Sequence, residues 1–411
     1  MLGTRALLNA GLPGLPLAMA ALPVYVFTPM LYANEYGMSL TLIGALLFGA
    51  RLIDTAQDPL LGVWQDKLSN TALRRVTLLM TALGLAGFFW LLLPFTGLSL
   101  AWQMAASLLL VYTAHGWVSI ALLRYGAALS RHKHERERIV AWREGLSVVG
   151  VLLAAALPAT LSARYGIKTG LAAFAALLVL ASLLALWAFN RAPLAPAVPA
   201  ARPDWRIVLA DKRFLALLLV LLLNAMAMAL PATLFNFYVA DVLRAPELAG
   251  GFLLSYFLCA AASLPLWLRL ALRLGKVRAW YVGMALALAG FVLVPWLNQD
   301  NHAAFWLVCI ATGTALGADL AYSTAMVADI IDEKVHGSGG AYFGAVSLVG
   351  KLALALAAGT ALPLAALAGY TPGNSANTSA LILLYAGLPC TVKLIAWVWL
   401  ARLRTQLEGT P

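Results

Sequence analysis

The stretch "GARLIDTAQDPLLGVWQDKLSN", residues Gly49–Asn70, places charged side chains inside a long apolar segment. Arg51, Asp54 and Asp58 are spaced by three and four residues, so on a helix they lie on one face. Two carboxylates one turn apart are costly in the hydrocarbon of a bilayer. We therefore expect this row of charges to have a function.

The composition of the whole chain is that of a membrane protein. Of its 411 residues, 63% are hydrophobic and 11% are charged, whereas a soluble domain averages about 25% charged residues. The net charge of +11 comes from short basic runs between apolar segments, a pattern typical of cytoplasmic loops. We predict a multi-pass protein of the bacterial inner membrane with both termini in the cytoplasm. We expect the lipid bilayer and a small-molecule solute as partners, no nucleic acid, and a monomer.

Twelve apolar segments are long enough to cross a bilayer, which takes roughly 20 residues. The proline-rich stretch at residues 191–211 divides them six and six and suits an extended cytoplasmic linker. We predict an all-α membrane protein with an N-terminal six-helix half at 1–190 and a C-terminal one at 212–411. Two six-helix repeats around a central cavity make up the major facilitator fold, in which the solute binds between the halves.

A proline follows the second carboxylate of the row and predicts a local gap in helical hydrogen bonding. Because Pro59 has no N–H, the carbonyl of Thr55 loses its usual donor and the helix is expected to bend. That carbonyl, beside Asp54 and Asp58, offers oxygen ligands for Na⁺, and protonation could neutralise the same pair instead. A structural salt bridge with Arg51 alone is the alternative.

Three further basic residues lie within spans. Lys351 lies well inside the eleventh span, where an ammonium is expected to have a carboxylate partner. Asp54 and Asp58 are the best candidates for that partner. Lys393 and Arg124 lie nearer the cytoplasmic ends of their spans, and we expect both side chains to snorkel toward the interface.

Other polar side chains inside apolar spans are candidates for a substrate cavity. His115 and Asp319 hold equivalent positions in the two halves and can contact a solute or relay a proton. A hydrogen-bonded core histidine is the alternative for His115. Asn224 and Asn236 flank a proline in the seventh span, where interhelical hydrogen bonding is the alternative. Ser119 and Arg124 complete this set.

Mixed charges mark the cytoplasmic ends of several spans, as in "ERERIVAWREGL" (Glu135–Leu146) and "ADIIDEKVHGSGGAYFG" (Ala328–Gly344). We interpret them as a salt-bridged gate that opens and closes in alternating access, with a solvated anchor as the alternative. The gate candidates are Asp66, Arg136, Arg143, Glu144, Asp329 and Asp332.

Three separated motifs resemble those of one transporter family. "ARLIDTAQDPLLGVWQDK" is similar to the D-x-x-x-D-P-x-x-G-x-x-x-D signature of the glycoside–pentoside–hexuronide:cation symporters, the melibiose permease family. "ER…WRE" after the fourth span resembles the second signature, and "ADIIDEK…G…AYFG…GKLALALA…L…GY", Ala328–Tyr370, resembles the C-terminal one. The resemblance implies a major facilitator symporter in which Asp54 and Asp58 form the cation site and Lys351 faces them.

The chain departs from the sugar-transporting members at their sugar contacts. Those members carry a lysine–aspartate pair in the first span, where "NAGLPGLPLAMAALPVYVF" has no charge. They also carry an aspartate in the fourth span, where the region Gly116–Ser119 offers only Ser119 as a cavity candidate. The resemblance therefore implies a secondary transporter that couples H⁺ or Na⁺ to a sugar-like or amphiphilic solute. With only two carboxylates at the site, H⁺ is favoured over Na⁺.

Three alternatives remain at this point. Relatives in the wider family carry lysophospholipids, so the chain could transport a lipid, or could serve as a non-transporting assembly factor on the same scaffold. A remote alternative is an intramembrane Mg²⁺-dependent prenyltransferase, with Asp329, Asp332 and Glu333 as a second acidic cluster. That reading explains neither Pro59 nor Lys351. We therefore predict a transporter rather than an enzyme, without a cofactor and with Na⁺ as the one candidate metal ion.

Overall fold

Helices form the regular structure throughout the part of the chain that the computed structural model describes, residues 3–95, 97–129, 133–193, 205–334, 339–373 and 378–408. Twelve helical segments there are long and apolar enough to cross a membrane. The predicted fold class, an all-α membrane protein with twelve spans, is confirmed.

The helices divide into two packed units. Residues Met1–Met38 and Gly49–Ala201 form the first unit, and Ser39–Phe48 and Arg202–Pro411 form the second. Both units therefore share one long helix, Leu40–Asp66, whose first residues belong to the second unit and whose charged residues belong to the first.

Among the described residues, eight α-helices contribute to the first unit. They are α1 (Thr4–Gly11), α2 (Gly14–Val26), α3 (Thr28–Asn34), α4 (Leu40–Asp66), α5 (Asn70–Leu92), α6 (Leu100–Ala128), α7 (Lys133–Tyr165) and α8 (Ile167–Phe189). The first span is interrupted where Pro13 and Pro29 stand at helix starts, because proline lacks the N–H that a preceding turn would need. Helix α4 continues through Pro59 as one helix.

Close backbone contacts hold helices of the first unit together. A Cβ on Gly150 of α7 would lie 2.2 Å from the carbonyl oxygen of Leu15 on α2. Only glycine allows that approach without a shift of the backbone. In another helix pair of this unit, Gly84 of α5 lies against Ala114 of α6, so small residues also set the distance between α5 and α6.

The described part of the second unit has eight further α-helices. They are α9 (Trp205–Ala210), α10 (Lys212–Asp241), α11 (Ala249–Leu274), α12 (Lys276–Val292), α13 (His302–Lys334), α14 (Gly339–Leu367), α15 (Ser379–Ile382) and α16 (Leu388–Glu408). A π-helical turn, Leu383–Gly387, joins α15 to α16 within the last span. Such turns add one residue to a helical turn and are frequent at functional sites.

The core of the second unit lies between α10, α12, α13 and α14. Its largest buried side chains include Phe214, Trp280, Tyr322 and Tyr342. The rings of Phe214 and Tyr342 meet edge to face, with centroids 4.5 Å apart. The Tyr342 hydroxyl donates to Asp211, whose carboxylate also accepts from the N–H of Phe214 and caps α10. The first turn of α10 is thereby tied to α14.

Candidate functional site

The predicted row of charges lies on α4 in the first unit. Arg51 Nη1 donates to Asp54 Oδ2 over 3.1 Å, and 2% of the Asp54 side chain is exposed. The Arg51 guanidinium also lies over the ring of Tyr112 on α6, with Cζ 3.9 Å from the ring centroid. Asp54 therefore forms an ion pair with Arg51 within its own unit. This is the structural salt bridge that the sequence offered as the alternative to an ion site, and it involves one of the two carboxylates.

The backbone of α6 approaches both carboxylates at Gly116. A Cβ placed there would lie 3.0 Å from Asp58 Oδ1 and 3.6 Å from Asp54 Oδ1. A side chain at this position would therefore reach directly into the carboxylate pair. Sequence reasoning singled out the region Gly116–Ser119 as lacking a third acidic group, and the glycine is its member that faces the aspartates.

Two polar contacts fix the register of α4 against α6. Gln65 is fully buried, and its Nε2 donates to the carbonyl oxygen of Trp117 over 2.8 Å. The Thr113 hydroxyl donates to Gln57 Oε1 over 3.0 Å. Buried amides that bond across a helix pair hold a single register, because any shift would break their bonds. Gln57 and Gln65 were missed at the sequence level, although Gln57 lies one helical turn after Asp54.

The remaining candidates for ion coupling are placed as follows. The Thr55 hydroxyl donates to the carbonyl of Arg51, 2.8 Å away within the same helix. Lys351 lies on α14 in the second unit and is partly buried. The predicted contact of Lys351 with the aspartates of α4 stays a prediction.

A second site of buried charge lies in the second unit. Lys393 Nζ on α16 lies 2.7 Å from Asp319 Oδ2 on α13, and the two side chains are 6% and 5% exposed. The indole Nε1 of Trp280 on α12 donates to the other oxygen of Asp319, also over 2.7 Å. The expectation that Lys393 snorkels to the interface is wrong. Its ammonium instead forms a buried ion pair, which position along the span could not reveal.

The other cavity candidates lie in both units. Asn224 and Asn236 of α10 are buried, and Asn224 Nδ2 lies 3.8 Å from the sulfur of Met228 on its own helix. His115 and Ser119 of α6 are partly buried. Their predicted contact with a solute stays a prediction.

Ion pairs at the predicted cytoplasmic ends of the spans involve four of the gate candidates. Arg124 Nη1 lies 3.1 Å from Asp66 Oδ1 in the first unit. Lys276 Nζ lies 2.6 Å from Asp329 Oδ2 in the second, with both side chains more than 40% exposed. Arg143 pairs with its chain neighbour Glu144. The side chains of two further gate candidates, Arg136 and Asp332, lie outside the described residues.

Comparison with known proteins gives the family of the chain. The family described as "MFS/sugar transport protein" matches residues 10–406. A curated relative, the sodium-dependent lysophosphatidylcholine symporter 1-A of Danio rerio, is 27% identical over 128 residues, which are 31% of this chain. The match spans 24% of that relative's length.

Two solved structures share the fold over almost the whole chain. The nucleoside transporter NupG superposes with a TM-score of 0.74 at 13% identity, covering 96% of this chain and all of NupG. A D-xylose–proton symporter superposes with a TM-score of 0.69 at 15% identity, covering 96% of both chains. These relatives are transporters, as the sequence predicts. The chain belongs to the MFS/sugar transport protein family and has the twelve-helix fold of the major facilitator superfamily.

Proposed function

We propose that this protein is a cation-coupled secondary transporter of the melibiose permease type, which moves a sugar-like or amphiphilic solute by alternating access. The observation that carries the proposal is the row of Arg51, Asp54 and Asp58 on α4, set against Gly116 of α6. Ionisable residues inside a span mark ion or solute pathways in membrane proteins. Membership of the family supports a transport function, and the charged row on α4 is the proposed binding site of the coupling ion.

The charges of the row suggest how coupling works. Arg51 pairs with Asp54, and the row of two carboxylates and one guanidinium has a formal charge of −1. We propose that the ammonium of Lys351 balances the negative charge of the row when no ion is bound, and that H⁺ or Na⁺ replaces it. An ion can drive a conformational change only if it binds the two states with different affinity. A lysine that competes for the site in one state provides that difference.

H⁺ is our first choice of ion, and Na⁺ the second. The α6 residue that faces the carboxylates is a glycine, and the described residues hold no group of three acidic, histidine or cysteine ligands that would favour a bound metal cation. The zebrafish relative is named as sodium-dependent, which supports Na⁺ as the alternative. Its named solute makes lysophospholipid transport the second candidate function for this chain.

We further propose the membrane arrangement and the roles of the remaining residues. The termini lie in the cytoplasm of a bacterial cell, and the protein acts as a monomer in the inner membrane. The pairs Arg124–Asp66 and Lys276–Asp329 belong to a cytoplasmic gate. Their exposure suits contacts that form and break.

Counterflow in proteoliposomes tests the transport proposal. Purified protein is assayed with D-xylose, uridine and lysophosphatidylcholine, each with an imposed H⁺ gradient, an Na⁺ gradient or neither. We expect gradient-driven accumulation of one solute, and its loss in Asp58→Asn. Glu35→Gln, which alters the loose pair with Lys168 outside the proposed site and gate, is the matched control and should still accumulate solute. Accumulation by Asp58→Asn at the wild-type level would overturn the coupling site, and no counterflow of any solute would favour a non-transporting role.

Gly116→Ala should weaken binding of the coupling ion. The new Cβ would lie 3.0 Å from Asp58 Oδ1, so the carboxylate must move, and overpacking of this kind costs about 1–3 kcal/mol. We expect the ion concentration for half-maximal uptake to rise about tenfold, because 1.4 kcal/mol corresponds to a factor of ten. Gly126→Ala on the same helix, with a Cβ 3.6 Å from Ile139, is the control. Equal ion dependence in both variants would show that Gly116 does not shape the site.

A further inference from the structure

An exposed apolar stripe runs along α8, the most apolar of the twelve spans. The helix packs against α5 and α7, and on its exposed side it carries large side chains spaced by three and four residues: Leu177, Leu180, Leu184 and Trp187. Residues at that spacing lie on one face of a helix. Because α8 is a membrane span, an uncovered leucine face of this kind lies against the acyl chains of lipids.

The stripe ends at an arginine that is stacked on an indole ring. Arg191 follows the last turn of α8, and its Cζ lies 3.6 Å from the centroid of the Trp187 ring. Such stacking is attractive, and tryptophans are enriched at the level of the lipid head groups. The ring covers the flat face of the guanidinium and leaves its edge, where the N–H donors lie, free for an acceptor. Arg191 is exposed, so a ligand can reach that edge.

The positive charge at this end of α8 is larger than the protein itself offsets. Arg74 of α5 meets the same end, where its Nη2 donates to the carbonyl oxygen of Phe189 over 3.2 Å. A helix C-terminus carries roughly half a negative elementary charge, which offsets only part of two guanidinium charges. Neither Arg74 nor Arg191 forms an ion pair with a carboxylate among the described residues. The end of α8 therefore attracts an anion.

A phospholipid with a net negative charge matches both the arginine and the leucine face. Its phosphate can accept two parallel hydrogen bonds from the edge of a guanidinium, and its acyl chains can cover the leucines of the stripe. A zwitterionic lipid carries its own ammonium group, so it would leave the excess positive charge in place. A free phosphate would offset the charge but would make no use of the apolar face.

We propose that Arg191 binds the phosphate of an anionic phospholipid whose acyl chains lie along the exposed face of α8. Trp187 is a positioning residue, because it holds the guanidinium that makes the contact. Arg74 adds positive charge at the same helix end. The site belongs to the outer surface of the first unit and uses none of the residues proposed for ion coupling or for the gate.

Native mass spectrometry of the full chain in detergent tests this inference. The protein is titrated with dioleoyl phosphatidylglycerol, dioleoyl phosphatidylcholine and glycerol phosphate, which separate the roles of net charge, phosphate and acyl chains. The main variant is Arg191→Gln. Its matched control is Arg164→Gln, which removes an exposed arginine next to the ring of Tyr165 at the end of α7, beside the opposite end of α8. Thermal unfolding of each variant verifies the fold.

We expect the wild type to bind phosphatidylglycerol more tightly than phosphatidylcholine. The affinity for phosphatidylglycerol should fall about tenfold in Arg191→Gln, since a hydrogen bond to a charged group contributes about that factor, and should be unchanged in Arg164→Gln. Trp187→Leu keeps the apolar surface but removes the ring under the guanidinium, and should weaken binding about threefold.

Four results would each overturn the proposal. They are equal affinity of the wild type for the two lipids, binding of glycerol phosphate as tight as that of phosphatidylglycerol, unchanged affinity in Arg191→Gln, and an equal loss in Arg164→Gln. Because neither a solute nor an ion gradient is present, all of these outcomes are independent of the proposed transport function.

Discussion

Asp319→Ala is expected to lower the free energy of unfolding by about 3–5 kcal/mol, because it leaves an ammonium buried without its carboxylate. Lys393 is 6% exposed and has Asp319 as its ionic partner. Neither water nor another carboxylate among the described residues can readily replace it. The effect is measured as a shift of the unfolding transition in detergent micelles.

Two further variants separate charge from packing in this experiment. Asp329→Ala removes the partner of Lys276 in a pair that is more than 40% exposed on both sides, and exposed pairs contribute about 0–1 kcal/mol. Combining Asp319→Asn with Lys393→Met should recover most of the stability, since no lone charge remains. Equal losses for Asp319→Ala and Asp329→Ala would contradict the burial argument.

Lys351→Ala is expected to change the ion dependence of transport but to leave the ion-binding site of Asp54 and Asp58 in place. In the proposed mechanism Lys351 competes with the coupling ion for Asp54 and Asp58. Without it the ion should bind more tightly, and the ion concentration for half-maximal uptake should fall about tenfold, as expected for loss of a nearby like charge. For H⁺ as the ion, uptake would persist to higher pH than in the wild type.

The controls for this second experiment use the same site and a remote one. Asp54→Asn combined with Lys351→Ala should restore stability without restoring coupling, because one carboxylate and its competitor are both gone. Lys168→Ala removes a largely exposed lysine that pairs loosely with Glu35 at 3.7 Å and should leave the profile unchanged. If Lys351→Ala shows wild-type pH and Na⁺ profiles, the competition mechanism is wrong.

Hydropathy was enough to predict the twelve spans, because each must satisfy its backbone hydrogen bonds internally within the bilayer. The helical repeat likewise put Arg51 and the two aspartates of α4 on one face. The facing residue, Gly116, was harder to identify, because the distance between two helices depends on how both pack. The spacing of residues in the sequence therefore predicts only the part of the site that lies on a single helix, α4.

The wrong expectation for Lys393 has the same origin. Its distance from the end of the span suggested that the side chain could reach the interface, whereas its partner lies on α13, more than seventy residues away in the chain. The sequence showed only that Asp319 and Lys393 each lie within an apolar span, which does not indicate that they form a pair. Pairing them needs the arrangement of α12, α13 and α16, which no pattern within one span contains.

The π-helical turn Leu383–Gly387 gives the last span a rotational phase of its own. Each residue of an α-helix rotates the chain by about 100°, and a π-helical turn takes up one additional residue. The residues that follow are therefore offset by that angle from their places in an uninterrupted α-helix of the same sequence. Lys393 follows this turn and meets Asp319 with the rotation in place. If the same residues wound as an uninterrupted α-helix, both charged residues would remain but the lysine would turn toward another neighbour. The two charges alone are therefore not sufficient to form the pair.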